Sequence, residues 1–287
     1  MPSSRTTAVL LISCRDQQGL VATVSDFLFR HGGNIVHADQ HTDQEEGVFL
    51  QRVEWELHGF ALSREAIAPA FTPIAERFAM DWRLHFSDEV PRLALLVSKL
   101  PHCLYDLLAR WRMGEFRAEV ACVISNHADA KPIASGFGVA FHHLPIEAGA
   151  KAEQESAMLD ILDKARVDLV VMARYMQILS ERVIAGYGQR IINIHHSFLP
   201  AFAGGRPYHQ AHERGVKLIG ATAHYATIDL DQGPIIEQDV ARVSHRDSVG
   251  DLVRKGRDLE KTVLARAVDL HLRHRVIVYG NKTVVFD

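Results

Sequence analysis

The sequence is short of the features that mark a chain for export, for a membrane or for nucleic acid. Only three cysteines occur in 287 residues, Cys14, Cys103 and Cys122, odd in number and widely spaced. That pattern fits neither a disulfide framework nor a zinc knuckle. The opening Met-Pro-Ser-Ser-Arg-Thr-Thr leads into no signal-type apolar run, so a cytoplasmic location is expected. No apolar run approaches the roughly 18 residues of a membrane span, and no membrane partner is expected. Neither sign of charge dominates: 32 basic against 35 acidic residues leave −3, which argues against a dominant nucleic-acid surface. There is no P-loop, no Gly-x-Ser-x-Gly elbow and no HExxH. Gly136-Phe-Gly138 lacks both the third glycine and the strand-to-helix placement of a dinucleotide fingerprint. Nicotinamide and ATP chemistry are therefore disfavoured.

What is present describes a foldable chain. At 47% hydrophobic and 23% charged it can bury a core, and its length suggests about two domains at roughly 150 residues each. Residues 1–88 read as βαββαβ: a strand at 8–13, a helix from Leu20 stopping at His31-Gly32-Gly33, strands at 35–42 and 48–57 around a charged turn, a helix at 66–78 and a strand at 82–86. That order predicts a split βαβ, ferredoxin-like module. Ser87–Arg92 is polar and contains proline, and marks the boundary. Beyond it, 93–97, 121–124, 167–172 and 190–194 are almost continuous apolar runs, as parallel strands covered on both faces require. Helical patterns at 103–113, 152–166 and 180–187 alternate with them. Residues 89–287 are thus expected to form an open, mostly parallel α/β sheet. Strands are expected at 218–225 and 234–243, then a capping box at Ser248-x-x-Asp251 opening a long helix, then short strands over 275–286.

Seventeen histidines raise the question of which do chemistry. His142-His143, His195-His196 and His209 with His212 form pairs, but no carboxylate lies at recognisable ligand spacing, and no metal is expected. One segment differs. Along Ile191–His195 an apolar strand carries Asn193 and His195 two residues apart, hence on one face, before breaking into Ser-Phe-Leu-Pro and the glycine-containing loop Ala203-Gly-Gly-Arg-Pro207. Ligands of open α/β sheets bind beyond the carboxyl ends of the strands, where an amide and an imidazole can stabilise an oxyanion and move a proton. A satisfied polar pair would read the same way. The stretch Gly220–Ile236 places His224 on a strand and then Asp229-x-Asp231-x-Gly233 in a loop; taken alone, that loop reads first as a solvated acidic turn and second as a carboxylate poised to orient an imidazole or a water.

Taken together, Asn193, His195, Ser197, Leu199-Pro200, His224 and Leu230-Asp231-Gln-Gly233 resemble the folate-dependent formyltransferase family. The resemblance implies that Asn193, His195 and Asp231 are catalytic. It also implies that Ala173–Leu179, with Met176, Gln177, Ile178 and Leu179, cradles the folate, assisted by His224 and Gly233. Residues 14–22 and His31–Ile35 resemble an ACT domain, a small module that often binds amino acids and often pairs with a second copy. An ACT domain ahead of a formyltransferase domain is the arrangement of the branch that hydrolyses 10-formyltetrahydrofolate, supplying formate for purine synthesis and balancing one-carbon folate pools. Ser98-Lys-Leu-Pro-His-Cys after the first strand of the second domain carries no glycine-rich phosphate nest, and the chain ends soon after the Asp231 loop, with no RNA-binding domain expected there. Both departures favour water over a phosphorylated or RNA acceptor; transfer to an unidentified amine is the alternative. The resemblance further implies a homo-oligomer, dimer or tetramer, and an effector site for glycine or methionine at Gly32, Gly33, Asn34 and Ile35. It implies no separate cofactor, the folate being the substrate.

Overall fold

In β1 (Thr7–Arg15) almost every side chain is buried, because this strand is covered on both faces. Ala8, Leu10, Ile12 and Cys14 point one way, into a core with Leu28, Trp55, Ile67 and Phe71. Val9 and Leu11 point the other way, onto Leu50, Ile277 and Phe286. The computed structural model describes residues 6–147, 149–201 and 207–286; the expected glycine loop at 203–207 lies, through residue 206, outside the described residues.

The chain divides into two compact units. The first begins β1, α1 (Leu20–Arg30), β2 (Asn34–Asp43), β3 (Val48–Glu56), α2 (Arg64–Arg77) and β4 (Asp81–Phe86). Its strands form one antiparallel sheet in the order β2-β3-β1-β4, which is the ferredoxin-like arrangement. Helix α1 has Leu20, Val24, Phe27 and Leu28 on its buried face and stops where Gly32, at φ 71°, turns the chain left-handed. Helix α2 runs through Pro69 and Pro73, yet still buries Ile67, Phe71 and Ala75 at helical spacing.

The second unit spans Val90–Leu272 and holds β5 (Arg92–Val97), α3 (His102–Arg112), β6 (Glu119–Ser125), α4 (Lys131–Gly136), β7 (Ala140–His143), α5 (Lys151–Lys164), β8 (Leu169–Met172), α6 (Glu181–Tyr187), β9 (Ile191–His195), α7 (Pro207–Arg214), β10 (Leu218–Tyr225), β11 (Ile235–Arg242) and α8 (Val249–Leu272). The seven strands are ordered β11-β10-β9-β8-β5-β6-β7, parallel from β9 through β7 and antiparallel at β10 and β11. The parallel strands β5, β8 and β9 are buried nearly throughout, as their unbroken apolar runs require. The capping box forms as its spacing predicts: Asp251 N–H donates to Ser248 Oγ (3.2 Å) and Ser248 N–H donates to an Asp251 carboxylate oxygen (2.9 Å).

One expectation differs from the structure. Residues 273–287 group with the first unit and not with 89–272. There β12 (Val276–Tyr279) and β13 (Lys282–Val285) form a hairpin whose Ile277, with Phe286 beyond it, covers Val9, Leu11 and Leu50. The buried Arg52 donates through Nε to the carbonyl of His274 at 3.0 Å and ties this segment down. Without the hairpin, the odd-numbered face of β1 would lie in water.

Candidate active site

The strand register assembles the site. Asn193 of β9 is paired with Met172 of β8 on one side and with His224 of β10 on the other; His195 is paired with Thr222. Because side chains on neighbouring strands at paired positions share a face, Asn193 and His224 meet directly. The Asn193 amide nitrogen lies 3.2 Å from His224 Nε2. His224 Nδ1 lies 2.9 Å from the carbonyl of Tyr225, which can only accept, so Nδ1 carries the proton and Nε2 accepts from Asn193.

Asp231 comes from the loop between β10 and β11. It sits at φ 57°, a left-handed conformation that aspartate tolerates better than most side chains. Gly233 explains the Asp-x-Gly spacing. A Cβ there would lie 1.8 Å from the Tyr225 carbonyl oxygen and 3.2 Å from His224 Nδ1, so only glycine lets the loop close on the end of β10. So placed, the Asp231 carboxylate reaches two imidazoles: Oδ2 is 3.2 Å from His195 Nδ1 and Oδ1 is 3.7 Å from His224 Nε2.

The electrostatics follow. Burial alone would raise the Asp231 carboxyl, but the hydrogen bond from His195 outweighs it and holds the group well below the usual carboxylate range. Asp231 is therefore ionised, and the facing His195 Nδ1 carries a proton. The far nitrogen of His195, Nε2, is buried and has no hydrogen-bond partner among the described residues. An unsatisfied buried ring nitrogen costs stability and is typical of a group kept for chemistry.

Beside these groups lies an open cleft lined by Gln177, Ile178 and Leu179 from the segment after β8, by Ile228 and Leu230, and by Asn193, His224 and Asp231. Ile178, Ile228 and Leu230 are each more than half exposed, an apolar rim suited to a flat ring. Met176 is also exposed but is not among the lining residues, and Gly233 supports the loop from behind rather than facing the cleft. Gly32, Gly33, Asn34 and Ile35 lie in the first unit at the junction of α1 and β2, where Gly33 N–H donates to the Leu28 carbonyl and Asn34 donates to Glu56.

Motif reading set His196 only in the His195-His196 pair and assigned it no chemistry. Its ring centre is 5.2 Å from that of His195 and 6.1 Å from that of Tyr208. Burial first, and the Arg174 guanidinium second, push it down to about 4, so it is neutral near pH 7. His102, Cys103 and Glu260 come close enough to share a cation, but Arg174 already supplies positive charge to Glu260.

Comparison with known proteins bears on the family and the fold. The formyl transferase model matches residues 91–268 and the ACT domain model residues 8–74. A formyltetrahydrofolate deformylase of Synechocystis sp. is 60% identical over 280 residues, 98% of either chain. A solved formyltetrahydrofolate deformylase of Pseudomonas syringae pv. tomato superposes with TM-score 0.97 at 48% identity, over 99% of this chain and 96% of that one. A solved glycinamide ribonucleotide transformylase of Symbiobacterium toebii reaches TM-score 0.67 at 33% identity, over 71% of this chain and 98% of that one. The similarity to deformylases thus runs through the ACT module and the α/β unit together, and the chain belongs to the formyltetrahydrofolate deformylase family, the ACT-bearing relatives of the formyltransferases.

Proposed function

We propose that this chain hydrolyses 10-formyltetrahydrofolate to tetrahydrofolate and formate, with Asn193, His195 and Asp231 as the catalytic groups. The observation that carries the reading is His195, whose Nδ1 faces the Asp231 carboxylate and whose buried Nε2 has no hydrogen-bond partner among the described residues, on the strand that brings Asn193 to an apolar-rimmed cleft. End-to-end similarity to deformylases supports water, not an amine, as acceptor.

The N10-formyl group is amide-like, so its cleavage needs an activated water, a stabilised oxyanion and a protonated leaving nitrogen. The pterin lies in the cleft against Gln177, Ile178 and Leu179, with Met176 at its exposed rim. A carboxylate held far below its usual range is a poor base, and Asp231 already accepts from His195 Nδ1. His195 Nε2 is then the base: it takes a proton from water as the oxygen attacks the formyl carbon. It returns that proton to N10 as the C–N10 bond breaks, a contribution of about 10²–10⁴ in rate. Asp231 stabilises the imidazolium in between. Asn193 has two amide protons: one is given to His224 Nε2, and the other is free for the oxyanion. The chemistry calls for no metal and no cofactor beyond the folate itself.

The ACT module supports a ligand-binding regulatory role. An amino acid such as glycine or methionine would bind near Gly32–Ile35, where backbone can approach closely. Strand β2, a sheet edge with most side chains exposed, supports association into a dimer or tetramer. The deciding experiment is formate release from 10-formyltetrahydrofolate by the purified chain with no amine present. A strict transferase yields no formate under those conditions, and that result would overturn the reading.

A further inference from the structure

A second polar cluster is buried on the His196 side of the candidate site, and the proposed chemistry leaves it unused. Glu260 of α8 is 1% exposed. Its Oε2 lies 2.8 Å from His102 Nε2 and 3.3 Å from Arg174 Nε, while its Oε1 accepts from the Tyr208 hydroxyl at 2.6 Å. The start of α3, the turn after β8, α7 and α8 all converge on this one carboxylate. His196 stands between this cluster and His195, its ring close to both His195 and Tyr208.

Arg174 is the unusual member. It is 8% exposed, yet its Nε and Nη1 have no hydrogen-bond partner among the described residues. Its backbone sits at φ 66°, a conformation that any residue but glycine adopts at a cost, and such costs are retained mostly where function requires them. The turn is pinned to the end of β5: Ser98 N–H donates to the Arg174 carbonyl (3.1 Å) and Met176 N–H donates to Ser98 Oγ (3.0 Å). One short segment thus presents Gln177, Ile178 and Leu179 to the cleft and Arg174 to the buried cluster. Stability alone does not explain the investment, because buried ion pairs seldom repay their desolvation.

Deformylases and transformylases share this catalytic fold, so the fold by itself does not select water. We propose that Arg174, clamped by Glu260, His102 and Tyr208, is a specificity-determining wall between the buried cluster and the reacting formyl group that keeps amines out and admits water. The proposal rests on the hydrolytic reading above. Arg174 takes no part in proton transfer; it decides which nucleophile arrives. With the wall removed, an amine nitrogen bonds to the formyl carbon, the C–N10 bond breaks, N10 gains a proton and the amine loses one. The products are then a formylated amine and tetrahydrofolate in place of formate and tetrahydrofolate.

Two variants test it. Arg174→Gly removes the wall and suits the left-handed backbone. His102→Ala loosens the clamp from α3 and leaves the 173–179 backbone unaltered. The full chain is supplied with 10-formyltetrahydrofolate and a series of glycinamide concentrations, and formate and N-formylglycinamide are both quantified. The ratio of N-formylglycinamide to formate should rise about tenfold or more over the unmutated chain in Arg174→Gly, and less in His102→Ala. A merely structural role would lower both products together and leave the ratio alone. An unchanged ratio in both variants, with melting profiles showing them folded, overturns the wall. Absence of formate from the unmutated chain refutes the hydrolytic reading instead, so the two failures are distinct.

Discussion

Asp231→Asn isolates the charge at the centre of the candidate site, since it changes one oxygen to nitrogen and little else. Asp231 Oδ2 lies 3.2 Å from His195 Nδ1. At an effective dielectric of about 20, a unit charge pair at that separation interacts by roughly 5 kcal/mol. The interaction is fully available only while His195 carries the proton taken from water, so it lowers the barrier rather than strengthening substrate binding. Part of it is returned because a neutral amide is easier to bury than a carboxylate. At 1.36 kcal/mol per factor of ten, a loss of about 10²–10⁴ in kcat is expected. The amide can also turn its N–H toward Nδ1, which moves the imidazole proton to Nε2 and disables the base; this adds to the loss. The assay is formate release at saturating and limiting folate, with a thermal melt on each protein. A folded Asp231→Asn chain within tenfold of the unmutated kcat would refute the role given to this carboxylate.

Asn193→Ala should lower kcat by about 10²–10³, because one oxyanion donor is lost; single-turnover kinetics separates this from weaker folate binding. Gly233→Ala should abolish most activity while leaving the fold, since its methyl would lie 1.8 Å from the Tyr225 carbonyl oxygen and must push the Asp231 loop off β10; near-normal formate release would contradict that geometry. Asp231 titrates below its unfolded range, so its contribution to stability is complete above about pH 4 and is withdrawn as the pH falls from there through its folded value. The melting-temperature gap between the unmutated chain and Asp231→Asn should accordingly be widest above pH 4 and narrow on acidification; a gap that widens in acid would reverse the assigned sign.

Much of this was legible without coordinates, for reasons that differ by element. The strands β5, β8 and β9 read clearly because burial on both faces leaves no room for polar alternation. Strand β7 did not, since its Ala-Phe-His-His is half exposed at the sheet edge and has no apolar run. Asn193, His195 and Asp231 stood out because each lies at a strand end or tight loop, where polar residues interrupt an apolar pattern. The Arg174 cluster left no such trace. Its members at 102, 174, 208 and 260 are far apart in sequence, and each is unremarkable alone. Only the convergence of four elements on Glu260 makes them a unit. The C-terminal hairpin was expected as strands, but not its destination, because nothing in Val276–Val285 says which apolar face it will cover.

That destination bears on synthesis. Residues 1–89 leave the ribosome first, but Val9, Leu11 and Leu50 receive their cover from Ile277 and Phe286 only when 273–287 emerges. During the interval the whole of 90–272 is made, so the unit that starts the chain is among the last parts to be finished. A nascent sheet with one bare apolar face would need shielding for that time, and a ribosome that stalls before residue 277 would release a chain whose first module is permanently half-dressed.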